Sequence, residues 1–131
     1  MIIDNSLLDK IQGEAENSDR LRMNYNFHES LDSKAQRLIN VLLPGTELPI
    51  HRHLNTAETY VILRGRLVVW FYDDMGVERE RFLLDPKNGN YGLQIPKGQW
   101  HGIEVLEPVV IFEVKDGPYT PITPDNILEK S

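Results

Sequence analysis

The sequence predicts an all-β domain, a sandwich or barrel, preceded by one short helix. Short β-branched and apolar segments recur from residue 38 onward, separated by clusters of Gly, Pro, Asn or Asp. Helical spacing is confined to the first twenty residues. Two histidine motifs, each bracketed by turn residues, sit within the strand-like region. A chain of 131 residues fits one domain with a substantial core and leaves little for a second.

Leu7, Leu8, Ile11 and Ala15 recur at helical spacing behind Asp4, Asn5 and Ser6, any of which can serve as N-cap. Residues 1–20 therefore form a helical segment, residues 21–121 a barrel and residues 122–131 a short polar tail, one domain in all. From about Leu21 the pattern shifts to alternation, with Arg22, Asn24, Asn26 and His28 on one strand face. Residues 38–43 are mostly branched and apolar before Pro44-Gly45. Further strands are expected at 60–63, 67–72, 78–84, 91–95, 102–106 and 109–115. Asp73-Asp74-Met75-Gly76 reads as a hairpin loop, and residues 85–90 as a longer one.

Fourteen basic against twenty acidic residues leave a net charge of −6, so nucleic acid and anionic membranes are poor partners. An anionic small molecule remains compatible, because a local pocket holding a dication can be positive inside an acidic protein. The chain has no cysteine, which excludes disulfides, a thiolate nucleophile and a sulfur-rich metal site. Its first residues carry neither a basic region nor a long apolar stretch, so no secretory leader is expected and the location is read as cytoplasmic. No run approaches bilayer-spanning length.

Residues 45–65 place His51 and His53 two apart and Glu58 five further on, between bracketing glycines. Side chains of a strand alternate faces, so both imidazoles point to one side and can grip one ion. Glu58 follows a short turn and opens the next apolar run, where it offers a carboxylate. The sequence Pro96-x-Gly98-x-x-His101 supplies a tight reversal and a fourth ligand. Three imidazoles and a carboxylate suit one divalent transition metal, Fe, Mn, Zn, Ni or Co, better than Mg or Ca.

These segments resemble the two motifs of the cupin superfamily. The first, G-x5-H-x-H-x4-E-x6-G, is matched by Gly45, His51, His53, Glu58 and Gly65; the second, G-x5-P-x-G-x2-H-x3-N, is met at Pro96, Gly98 and His101, while Asn90 replaces its first glycine and Val105 its final asparagine. Within cupins the chain is most similar to the small WbuC-type metalloproteins, found among bacterial surface-polysaccharide genes. That similarity runs from about Arg22 to Tyr119. It is carried by Arg22-x-Asn24-x-Asn26-x-His28, Gln36-Arg37, His51-Arg52-His53, Leu63-Arg64-Gly65, Trp100-His101 and the stretch from Glu113 to Tyr119. The resemblance implies a double-stranded β-helix, or jelly-roll barrel.

Around the metal, parity puts Tyr60 on the side of Glu58, either as a pocket hydroxyl with a catalytic role or as a core ring. His28 is a candidate acid or base within its polar row, in which Arg22 and Asn26 are candidate ligand contacts. Arg37 and Arg64 offer guanidinium groups for a carboxylate or phosphate, or else cover apolar surface. Trp100 can stack on a sugar ring or pack on the Pro96 turn. The leading functional reading is a metal-dependent enzyme acting on a small carbohydrate or sugar-derived acid, of isomerase or dioxygenase type, with a link to surface-polysaccharide synthesis implied by the resemblance. A non-catalytic sugar-binding or regulatory module is the first alternative and an iron-dependent dioxygenase the second. Unpaired sheet edges would favour a homodimer.

Overall fold

In a computed structural model that describes residues 1–128, one helix precedes eight strands. Helix α1, Asn5–Glu16, is capped by Asp4, whose carboxylate accepts from the Leu7 amide at 3.1 Å. Its buried face, Leu8, Ile11 and Ala15, packs on Ile39, Val41, Leu43 and Val110. The strands are β1 (Arg22–Asn26), β2 (Ala35–Leu42), β3 (Ile50–His51), β4 (Glu58–Tyr72), β5 (Glu78–Leu84), β6 (Gly92–Ile95), β7 (Trp100–Asp116) and β8 (Ile127–Leu128).

Strands β4 and β7 lie antiparallel along their whole lengths and carry the architecture. Their outer segments, Glu58 to Ile62 against Ile111 to Lys115, continue sideways into β2 and β1 on one edge and β6 on the other. Their remaining segments, Leu67 to Tyr72 against Trp100 to Val105, continue into β5 on one edge and β3 then β8 on the other. The same two strands thus pass through both sheets of a closed jelly roll. Residues 60–63 and 67–72, expected as separate strands, are one strand, as are 102–106 and 109–115. Gly65 and Pro108 mark the corner between them rather than loops. At Gly65 φ is +86°, and a Cβ there would collide with the Pro108 carbonyl oxygen, so the two strands meet backbone to backbone where the register shifts.

The barrel interior holds Leu42, Tyr60, Ile62, Leu67, Val69, Phe71, Leu84, Ile95, Val105, Val109 and Ile111. Residues 124–128, within the expected polar tail, form a 3-10 turn at Pro124–Asn126 and strand β8, which pairs with β3. Residues 129–131 of that tail lie outside the described residues. No helix among the described residues is long and apolar enough to cross a membrane.

Candidate metal centre

His51 ends β3 and is the register partner of His101 on β7, so the two rings face one side with centroids 4.4 Å apart. His53 lies just past β3, yet its ring returns to the same face, 5.2 Å from that of His51. The Pro96 turn fixes it there: the Gly98 amide donates to the His53 carbonyl at 2.8 Å, and Gly98 adopts φ +73°, which favours glycine. The second motif therefore holds the first. One ligand nitrogen from each of His51, His53 and His101 falls within 4.8 Å of the others.

Glu58 opens β4 at the flank of this group. Its Oε1 lies 2.9 Å from His53 Nε2 and 3.9 Å from His101 Nε2. The His53 contact is close without hydrogen-bond alignment, and among the described residues Glu58 Oε1 and His101 Nε2 are buried with no hydrogen-bond partner. Each such atom costs roughly 1–3 kcal/mol if left so. A cation between them would satisfy both.

Backbone carbonyls orient the imidazoles. His51 Nδ1 lies 2.9 Å from the Pro49 carbonyl, and His101 Nδ1 2.9 Å from that of Gln99. A carbonyl only accepts, so in each ring Nδ1 carries the proton and Nε2 keeps its lone pair. Burial above all, then the His101 charge, lowers the His51 pKa to about 4, leaving it neutral near pH 7. Burial likewise lowers that of His101. For Glu58, burial pushes upward but is outweighed by contact with His53 and by the charges of His53, His101 and Lys115, and its pKa falls to about 2. Two neutral imidazoles and an ionised carboxylate are donors in the protonation states that a divalent transition ion requires.

Behind Glu58 the barrel stays polar. Tyr60 and Glu113 are register partners, both buried, and in the adjoining row the buried Glu58 pairs with the half-buried Lys115. Burial, then the charges of Glu58 and Glu113, raises the Tyr60 pKa well above 10, so the phenol keeps its proton. Burial and the Glu58 charge raise Glu113 to about 8. Glu113 and Lys115 had no derived role in the sequence, although inward parity counted from Ile111 finds them.

The other candidates are dispersed. Arg64 bonds α1 instead of a ligand, through Asp9 at 2.8 Å and the Asn5 side chain at 2.9 Å. Trp100 faces outward, donating to Asp74 at 3.0 Å under the guanidinium of Arg52, 4.4 Å from its ring, so that face is not free for a sugar. Arg37 is exposed and shares strand parity with Ile39, on the α1 side of the sheet. The row Arg22, Asn24, Asn26 and His28 does face the barrel side, but β2 and β7 separate it from Glu58. Asn26 is exposed and bonded by Asn24 at 2.9 Å. His28 is buried with Nδ1 3.1 Å from the Arg37 backbone, away from the three imidazoles.

A cleft of about 210 Å³ opens beside His53, lined by Arg52, Asn55, Thr56, Thr123 and Asn126 among others. The larger groove, about 520 Å³, lies on the opposite side of β3 among Ile50, Trp70, Tyr72 and Ile103 and includes none of the imidazoles.

No curated protein matches the chain. Among solved structures, the capsular polysaccharide assembling protein CapF from Staphylococcus aureus is 22% identical over 79% of this chain and 28% of its own, with a TM-score of 0.66. The chain thus spans under a third of CapF. TT1209 from Thermus thermophilus is 22% identical over 88% of this chain and 97% of its own, with a TM-score of 0.63. An oxalate decarboxylase from Lactobacillus farciminis is 17% identical over 81% of this chain and 31% of its own, with a TM-score of 0.62. These likenesses establish the cupin fold. The family model DUF6016, a domain of unknown function, matches residues 3–84, more than half of the sequence, and the chain belongs to that family.

Proposed function

We propose that this cupin binds one divalent transition ion through His51, His53, His101 and Glu58 and uses it to hold a small carbohydrate or sugar-derived acid for chemical conversion. The observation that carries the reading is the convergence of three imidazoles, two with Nδ1 bound to a backbone carbonyl, on a space that also contains an unpartnered carboxylate oxygen. Such an ion supplies Lewis-acid polarisation of a carbonyl or hydroxyl oxygen. The cleft beside His53 is smaller than the usual 300–1,000 Å³ of drug-sized sites, which supports a ligand of monosaccharide size or less. Its Asn and Thr side chains suit hydroxyl groups.

Turnover is favoured over simple retention because Tyr60 and Glu113, both able to carry a proton, lie against Glu58 inside the barrel. The similarity to WbuC-type proteins and the capsular-polysaccharide name of CapF direct the ligand search to sugars. Elemental analysis of protein purified without added metal tests the site, with His51→Ala as control. Near-stoichiometric transition metal in the wild type and its loss in the variant are expected. Wild-type protein that neither retains nor takes up such an ion would overturn the reading.

A further inference from the structure

The inner face of the sheet is laid out in rows, because residues opposite one another on antiparallel strands point the same way. One row contains Glu58, Lys115 and Gln36, and the next Tyr60, Glu113 and Leu38. Lys115 therefore stands about one strand spacing, roughly 4.8 Å, from Glu58 on the same face. Its side chain is only 16% exposed, with Nζ 3.9 Å from Glu113 Oε2 and 5.9 Å from the centroid of the Tyr119 ring. Nζ makes no hydrogen bond among the described residues. Thr120, next to Tyr119, lines the cleft that His53 opens onto.

A largely buried ammonium is costly unless paired and hydrogen-bonded. Gln36, the other neighbour in the row, is held by its amide nitrogen, which donates to the Leu31 and Ser33 carbonyls at 3.2 and 2.9 Å, and among the described residues it makes no hydrogen bond to Lys115. The two acidic groups leave a surplus of positive charge: a dication and Lys115 against Glu58 and Glu113 sum to +1 even when both carboxylates are ionised. Surplus charge, unused donors and a position beside a ligand carboxylate describe one half of an anion site.

Building on the metal-binding reading above, we propose that Lys115 is the second anchor of the ligand, its ammonium holding an anionic oxygen group while the ligand's other oxygens face His51, His53 and His101. The ligand is accordingly a sugar acid or sugar phosphate rather than a neutral sugar. Arg64 and Arg52 do not serve this role, since Arg64 is committed to α1 and Arg52 to Trp100 and Asn126.

The test uses metal-loaded protein of measured stoichiometry and calorimetric titration with gluconate, glucose 6-phosphate and sorbitol. Wild type binds at least one anion ten-fold or more tighter than sorbitol. Lys115→Met removes that preference with the metal content unchanged, and Lys115→Arg restores most of it. Should Lys115→Met fail to fold, Lys115→Gln carries the same comparison. An unchanged anion preference in the uncharged variant overturns the proposal, and so does a wild type that binds neither anion better than sorbitol. Failure of the metal-binding reading shows separately, as wild-type protein without metal.

Discussion

At the scale of single residues the metal group is the most direct target. His101 is fully buried and its Nε2 lacks a protein hydrogen-bond partner, so His101→Ala is expected to lower bound metal at least ten-fold by mass spectrometry. His28→Ala should retain it, because His28 contacts the Arg37 backbone and not the metal group. Metal retained at full stoichiometry in His101→Ala would refute the ligand set. Glu113 gives a pH signature in metal-free protein. Its folded pKa, raised to about 8, lies above the ordinary 4.5, so the native state holds a proton that the unfolded chain releases. Its contribution to stability is therefore full below about pH 4.5 and is lost as pH rises through 8. Glu113→Gln keeps a neutral side chain throughout, so its melting temperature should gain on wild type between pH 5 and 8; a gap independent of pH would disprove the buried neutral acid. The four ligand candidates could be read in the sequence because alternation and a short turn are local rules. The placement of Glu113 and Lys115 beside them rests on register between β4 and β7, across more than forty residues of sequence, and no local pattern encodes it.

At the scale of elements, the strand segments were legible and their continuity was not. Gly65 and Pro108 look like ordinary strand breakers, yet each sits at the corner of a strand that continues past it, and the two lie against each other. Only their contact distinguishes a corner from a loop. Gly65→Ala combines an unfavourable φ with a Cβ driven into a backbone oxygen. It should cost about 3 kcal/mol or more in urea denaturation, whereas the same replacement at an unstrained glycine stabilises by about 0.4–1 kcal/mol. A loss below 1 kcal/mol would mean that the strands do not meet there. Helix α1 was predicted from spacing and cap alone, but its attachment through Arg64 was not, since a guanidinium partner 55 residues away carries no sequence signal. Because those contacts are largely exposed, Arg64→Ala is expected to cost no more than about 1 kcal/mol and to leave metal content unchanged. Loss of metal would return Arg64 to the site.

At the scale of the whole molecule, the C-terminal segment is tied to the metal group through one residue. Arg52 lies between two proposed ligands and turns outward. Its amide donates to the Asn126 carbonyl at 3.0 Å, its Nε to the Asn126 side chain at 2.9 Å, and its guanidinium covers Trp100. Trp100 in turn precedes His101 and bonds Asp74 in the β4–β5 hairpin loop. Segments far apart in sequence therefore meet beside the strands that present His51, His53 and His101. A polar tail without apolar periodicity gave no hint of this, because β8 adheres by backbone pairing with β3, which any sequence can supply. If this brace sets the imidazole geometry, Arg52→Ala should weaken metal affinity by about ten-fold to a hundred-fold, the usual effect of losing a group that orients a ligand. Asn126→Ala should weaken it by less, since the amide-to-carbonyl bond at Asn126 survives the substitution. The double variant should then resemble Arg52→Ala, because the Asn126 side chain acts on the centre only through Arg52. Chelator competition on the three variants measures this directly. Additive losses in the double variant would show that the C-terminal segment supports the metal group by a separate route, and affinities equal to wild type would show that β3 holds its histidines without the brace.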